Sequence, residues 1–196
     1  MIFKGMNSVK RYPKMLEVID DGSKPPKLGT YTPPLPYLAG KSKAINKIIS
    51  GGQTGADRAA LDFAIAHNIP HGGWCPKGRR AEDGVISSRY QLNEMATGDY
   101  LKRTKQNITD SDATLILNCG ELDGGSLRTM QFAQQLNKPF MIAQLDRDDL
   151  ENQIKEASNW IHTICGSLNV AGPRESKRPS VYRLSYDFLT RLFESG

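Results

Sequence analysis

The chain has 196 residues, 38% of them hydrophobic and 24% charged, with a formal net charge of +5, enough apolar material for one core plus an appendage. No apolar run approaches the ~20 residues that a membrane helix needs, and the N-terminus lacks the apolar core of a secretory signal, so a soluble, cytoplasmic protein is expected. Cys75, Cys119 and Cys165 lie far apart with no Cys-x-x-Cys pair, and His67, His71 and His162 form no ligand set, which argues for buried thiols and against a disulfide framework or a metal site.

The charge is uneven along the chain. Residues 1–47 carry nine Lys/Arg against Glu17, Asp20 and Asp21, so the remainder is nearly neutral. Five of the eleven prolines also fall between Pro25 and Pro36. Residues 1–42 therefore read as a basic, proline-rich extension, and residues 43–196 as the folded domain. Within the extension, Met15, Leu16, Val18 and Ile19 suggest one short helix. The proline stretch reads as a strap or linker, with a polyproline ligand for a partner as the alternative. Because the basicity belongs to the extension, nucleic-acid binding is not expected of the folded domain.

The domain opens with the apolar run Lys47-Ile48-Ile49, which empties into Ser50-Gly51-Gly52-Gln53-Thr54-Gly55-Ala56-Asp57. A helix follows, with Ala60, Leu61, Ala64 and Ile65 on one stripe. A helix start exposes unpaired backbone N–H groups and partial positive charge, so a glycine loop there suits an anion such as phosphate. The pattern is neither a dinucleotide fingerprint nor a P-loop, and a turn capped by Thr54 or Asp57 without any ligand is the alternative.

Ile69 to Cys75 reads as a second, glycine-broken strand, and Trp74 at its end as a core aromatic or a stacking face. In an open α/β sheet the loop that follows lies on the ligand edge. This places Lys77, Arg79 and Arg80 near the first glycine cluster, as an anion clamp or as a solvated charge run. Residues 86–111 suggest two short helices. Asp112 to Cys119 carries an apolar run bounded by polar residues, as a central strand buried on both faces should.

That strand leads into Gly120-Glu121-Leu122-Asp123-Gly124-Gly125-Ser126 and a helix with Leu127, Met130, Ala133 and Leu136 on one stripe, repeating the opening arrangement. Pro139 to Gln144 gives the next strand, and a helix follows with Leu150, Ile154, Ala157, Ile161 and Ile164 at helical spacing. Ser167 to Gly172 is the last strand. It leads to the polar loop Pro173 to Pro179 and to a closing helix with Phe188, Leu189, Leu192 and Phe193 inward. Strands alternating with helices call for a Rossmann-like, doubly wound, mainly parallel α/β sheet of five strands with helices on both faces.

Five segments occur together in one order: Gly51-Gly52-Gln53-Thr54-Gly55-Ala56-Asp57, Trp74-Cys75-Pro76-Lys77-Gly78-Arg79, Ser111-Asp112-Ala113-Thr114-Leu115-Ile116, Gly124-Gly125-Ser126, and Leu168 to Ser176. As a set, covering roughly residues 45–195, they resemble the putative molybdenum carrier family, the circularly permuted YpsA-like branch of the SLOG superfamily. The resemblance implies a Rossmann-like fold binding a nucleotide-derived or molybdopterin-like ligand at its glycine loops, so the possible cofactor is a nucleotide or the molybdenum cofactor. Related folds also imply a homodimer.

The superfamily is similar to LOG, or lysine-decarboxylase-like, proteins, whose phosphoribohydrolases use a Gly-Gly-x-Gly-Thr-x-x-Glu motif. The matching run here places Leu127 at the later glycine and Gln131 at the glutamate. An amide cannot act as the ionised carboxylate that such hydrolysis needs. Asp57, Asp112 and Glu175 are the candidate replacements for catalysis, each also readable as a cap, a strand-end acceptor or an ion-pair partner.

The leading expectation is binding of a phosphate-bearing small molecule. Gly51, Gly52, Thr54 and Gly55 would cradle one anionic group and Gly124, Gly125 and Ser126 a second, while Lys77, Arg79 and Arg174 neutralise charge. Gln53, Asp57, Thr129 and Ser176 complete the candidate set. The alternatives are an enzyme acting on a nucleotide or its N-glycosidic bond, and an interaction module that uses the extension.

Overall fold

The computed structural model describes residues 45–194, so the extension and its expected short helix lie outside the described residues. In chain order the elements are β1 (Ile45–Ile49), α1 (Ala56–Ala66), β2 (His71–Gly72), β3 (Trp74–Cys75), β4 (Arg80–Ala81), β5 (Gly84–Val85), β6 (Asn93–Glu94), α2 (Tyr100–Thr109), β7 (Ala113–Asn118), α3 (Gly124–Gln135), β8 (Phe140–Gln144), α4 (Leu150–Ile161), β9 (Gly166–Ala171) and α5 (Val181–Glu194). Five strands form one parallel sheet in the order β2-β1-β9-β7-β8. The expected Rossmann-like α/β architecture is what the chain adopts.

Two readings are corrected. The strand expected at the centre, β7, is flanked by β8 and β9, and the centre of the sheet is β9. All six residues of β7 are buried nonetheless, because helices cover both faces wherever the strand sits. Where two helices were expected, residues 86–99 form turns and the short strand β6, which pairs with β3, and only α2 is helical. Ile86, Tyr90 and Leu92 still reach the core beside Leu61 and Cys75, but the carbonyls of Ile86, Ser87, Tyr90 and Leu92, which a helix would use for its own amides, accept from Arg79. Asp99 caps α2 by accepting from Leu101 and Lys102 N–H.

Alternation along the strands divides the core between the two faces. Ala113, Leu115 and Leu117 of β7 pack with Ala60 and Phe63 of α1, Trp160 and Ile161 of α4, and Phe188, Leu189 and Leu192 of α5. Ile116 points the other way, into a cluster with Ile108 of α2, Ala133 of α3, and Phe140 and Ile142 of β8. At about 25 cal/mol per Å² of apolar surface buried, each large side chain so enclosed contributes on the order of 2 kcal/mol. The result is a rigid sheet whose carboxyl edge carries the loops. Among the described residues no helix is long and apolar enough to cross a membrane.

Candidate functional site

The chain leaves β1 through α1 to pair β2 on one side, and leaves β7 through α3 to pair β8 on the other. The connections thus diverge around β9, and the carboxyl edge between diverging connections is where open α/β sheets form a crevice. A cavity of about 380 Å³ lies there, walled by residues from the β1 exit, the start of α3, the end of β9 and the inner face of α2. That is within the range of small-molecule sites.

The start of α3 supplies the anion-attracting wall. Gly124, Gly125 and Ser126 line the cavity, and first-turn amides have no partner within their own helix. Asp123 stands at the N-cap position, where an aspartate ordinarily accepts from those amides, yet its side chain makes no capping bond. Its carboxylate turns to Lys177 Nζ at 2.6 Å and Arg178 Nη2 at 3.6 Å instead. The first turn is left without a side-chain cap, and Lys177 and Arg174 also line the cavity. Nothing lies within 4 Å of a Cβ built on Gly125.

The β1 side is arranged differently, because its polar groups already have partners. Gln53 N–H donates to Asp57 Oδ2 (3.3 Å), Thr54 N–H to Gln53 Oε1 (3.0 Å), and Ala56 N–H to the Pro173 carbonyl (3.3 Å). A Cβ on Gly55 would lie 2.4 Å from the Pro173 oxygen and 2.8 Å from Glu175 N. Close approach of two loops is therefore what glycine permits there. Asp57 and Arg103 form an ion pair at 3.1 Å with side chains only 5% and 11% exposed. Burial pushes the Asp57 carboxyl above the usual carboxylate range, against the pull of Arg103. The Arg103 guanidinium occupies the space beside Gly51, where a Cβ would lie 1.6 Å from Nη1, and its buried Nε has no hydrogen-bond partner.

Of the residues singled out in the sequence, Gly51, Gln53, Asp57, Gly124, Gly125, Ser126, Thr129 and Arg174 line the cavity together. Gly52, Thr54, Gly55 and Ser176 flank it without lining it. Lys77 is exposed on the loop after β3 and lies outside the cavity wall. Arg79 turns into its own loop, donating to the carbonyls of Ile86, Ser87, Tyr90 and Leu92. The loop does reach the first glycine turn, but through acids: Asp83 pairs with Arg58 at 3.1 Å, and Glu82 accepts from Thr54 Oγ1.

The three candidate acids separate. Asp112 sits at the opposite edge of the sheet, accepting from Ser167 N (2.7 Å) and Oγ (2.8 Å) where β7 and β9 begin. Glu175 accepts from the N–H groups of Ser180 and Tyr182 at the start of α5. Asp57 alone of the three lines the cavity. Gln131 pairs with Arg128 Nη1 at 2.9 Å and is not part of the wall.

The model of the circularly permutated YpsA SLOG family matches residues 48–193. The chain belongs to that family. A solved structure, described as a putative molybdenum carrier protein from Syntrophus aciditrophicus SB, is 54% identical to this SLOG chain, covers 76% of it and 95% of itself, and superposes with a TM-score of 0.73. No curated protein matches.

Several residues of this SLOG cavity were not among the candidates singled out in the sequence. Arg103, Thr104 and Asn107 come from α2, with Tyr100 and Leu101 at its exposed start, and Asn169 comes from the middle of β9. A polar helix pattern shows which face is apolar but not which polar side chains meet a cavity. Lys177 stood within a loop recognised as polar, and only its contact with Asp123 marks it. Among the described residues no group of His, Cys, Asp or Glu is placed to hold a metal ion.

Proposed function

We propose that this protein binds a small molecule bearing a phosphate, nucleotide-derived or molybdopterin-like, in the cavity above β9. The observation that carries the reading is the uncapped first turn of α3. Gly124, Gly125 and Ser126 line the cavity while the N-cap carboxylate is drawn off by Lys177 and Arg178. Giving up a side-chain cap costs about 1 kcal/mol, and an anion at the helix start recovers hydrogen bonds and charge complementarity. Tyr100 and Leu101, 43% and 48% exposed on the cavity rim, offer a face for the flat ring of such a ligand. The resemblance to a structure described as a putative molybdenum carrier supports the same ligand class.

Native mass spectrometry of freshly purified protein tests this directly, since a retained nucleotide or pterin declares itself by mass. In solution, a ligand at 100 times its Kd raises stability by about 2.7 kcal/mol. The reading expects adenosine monophosphate or a pterin phosphate to raise the melting temperature of the wild type. Gly125→Asp should abolish that rise while staying folded, because its side chain enters open space. A folded Gly125→Asp with unchanged binding would sink the α3 assignment.

A second reading, an enzyme that cleaves a nucleotide N-glycosidic bond, is favoured by Asp57, a buried carboxyl on the cavity wall whose proton affinity is raised. Under the binding reading, chromatography of adenosine monophosphate incubated with the protein shows no free adenine. Release of adenine that disappears in Asp57→Asn would establish the enzyme instead.

A further inference from the structure

The loop from Arg79 to Ile86 carries a short hairpin, β4 and β5, whose tip bears Glu82. Little apolar packing holds this hairpin: Val85 is 78% exposed, and of its strand residues only Ala81 packs on a core cluster. Its base is held by the four carbonyls around Arg79, and its tip by the Arg58–Asp83 pair. The Glu82 carboxylate is not needed for either of those anchors. It reaches across to two other loops, the exit of β1 and the exit of β9.

There it meets four donors. Oε1 accepts from Thr54 Oγ1 and from Ser176 N–H at 3.0 Å, and Oε2 accepts from Ser176 Oγ and faces Arg174 Nε at 3.4 Å. Two hydroxyls, a backbone amide and a guanidinium converging on two oxygens form the donor set that also holds a phosphate or sulfate. Arg174 and Gln53, the latter accepting from Glu82 N–H at 2.9 Å, line the main cavity, so this cradle adjoins it.

We propose that Thr54, Ser176 and Arg174 form a second oxyanion subsite next to the cavity, filled by the chain's own Glu82 carboxylate. It deepens the ligand-binding reading and rests on that reading for the first anionic group, held by α3. Glu82 then acts as a specificity residue. It keeps the second subsite closed to ligands with two separate anionic groups and leaves the cavity to those with one. Removing the carboxylate frees all four donors without disturbing the hairpin's other anchors.

The test is calorimetric titration with inorganic phosphate. Wild type should take up one equivalent, lost in Gly125→Asp, whereas Glu82→Ala should take up two. Ser176→Ala added to Glu82→Ala removes one donor without changing charge, and should weaken the second equivalent roughly tenfold. Arg174→Ala added to Glu82→Ala should abolish it. A folded Glu82→Ala with one equivalent overturns the proposal. So does a second equivalent indifferent to Ser176→Ala, which would be general attraction to an unpaired arginine. Should Glu82→Ala fail to fold, Glu82→Gln keeps an acceptor for the latch but not the charge. It is then expected to admit the second phosphate more weakly, and one equivalent in folded Glu82→Gln overturns the proposal equally. Failure of the α3 reading would appear separately, as a wild type that takes up no phosphate or whose uptake survives Gly125→Asp.

Discussion

Two glycine turns stand side by side on the carboxyl edge of the sheet, one leading into α1 and the other into α3, and they spend their polar groups in opposite ways. In the turn before α1, Gln53 and Thr54 N–H groups are taken by side chains of the same turn, Ala56 N–H by the β9 exit, and the carbonyl of Gly52 accepts from Arg58 Nε and Nη2. In the turn before α3 the one side chain that could cap the helix is held elsewhere by two cations. The first turn is therefore a joint between loops and the second an opening. Glycine is required in one for lack of room. In the other, Gly125 leaves room unused.

The contrast is broken most severely at Gly55. Its φ is +75°, and an added Cβ would meet two backbone atoms below 3 Å, so Gly55→Val combines left-handed strain with a clash that no side chain can relieve. A loss of about 4 kcal/mol or more is expected, read by chemical denaturation. Next comes Arg103→Leu, which leaves the Asp57 carboxylate buried without its counter-ion at a cost of about 3 kcal/mol. A loss below about 1 kcal/mol would mean that Arg103 is held for a ligand and does little for the fold.

A smaller effect should follow pH. Burial disfavours the charged form of Glu82, but hydrogen bonds from Ser176 and Thr54 and the charge of Arg174 outweigh it, so the carboxyl titrates below its ordinary 4.5. A depressed folded pKa contributes stability that is fully present above the unfolded value and is lost as pH falls through the folded one. Wild type should therefore lose more stability below pH ~4.5 than Glu82→Gln does. Equal slopes would show that the latch is not ionic. The smallest effect belongs to Gly125→Ala. With no atom near its Cβ and a helical setting, it should be neutral or stabilise by up to about 1 kcal/mol, in sharp contrast to Gly55. Deleting residues 1–42 should likewise leave unfolding unchanged, because all five strands of the main sheet and both glycine turns lie beyond the cut.

The two turns look alike as sequence, each a strand, a glycine pair, a hydroxyl residue and a helix, and this is why both read as anion cradles. Local pattern was enough for the alternating strands and helices, the buried run of β7 and the inward stripe of α5, since burial on a face imposes its own period. Strand order was not legible, because pairing β9 between β1 and β7 depends on contacts more than a hundred residues apart for β1. The destination of long side chains was hidden for the same reason. Arg79 binds carbonyls of its own loop, Arg103 reaches Asp57 from another helix, and Glu82 joins residues on both sides of it in the chain. The loop after β3 was correctly placed beside the first glycine turn by topology alone, but which of its charges would face that turn depended on the hairpin's geometry.

The position of β9 bears on how the molecule is made. It is the last strand of the main sheet in chain order and lies at its centre, between β1 and β7. As the polypeptide emerges during synthesis, β1 with β2 and β7 with β8 can each pair early, yet they remain two half-sheets with inner edges unpaired until residues 166–171 arrive. Unpaired parallel edges recruit other strands. Nascent or truncated chains ending between Gln144 and Gly166 are accordingly the species expected to aggregate. Addition of a single six-residue strand closes both edges at once and brings together the walls of the cavity.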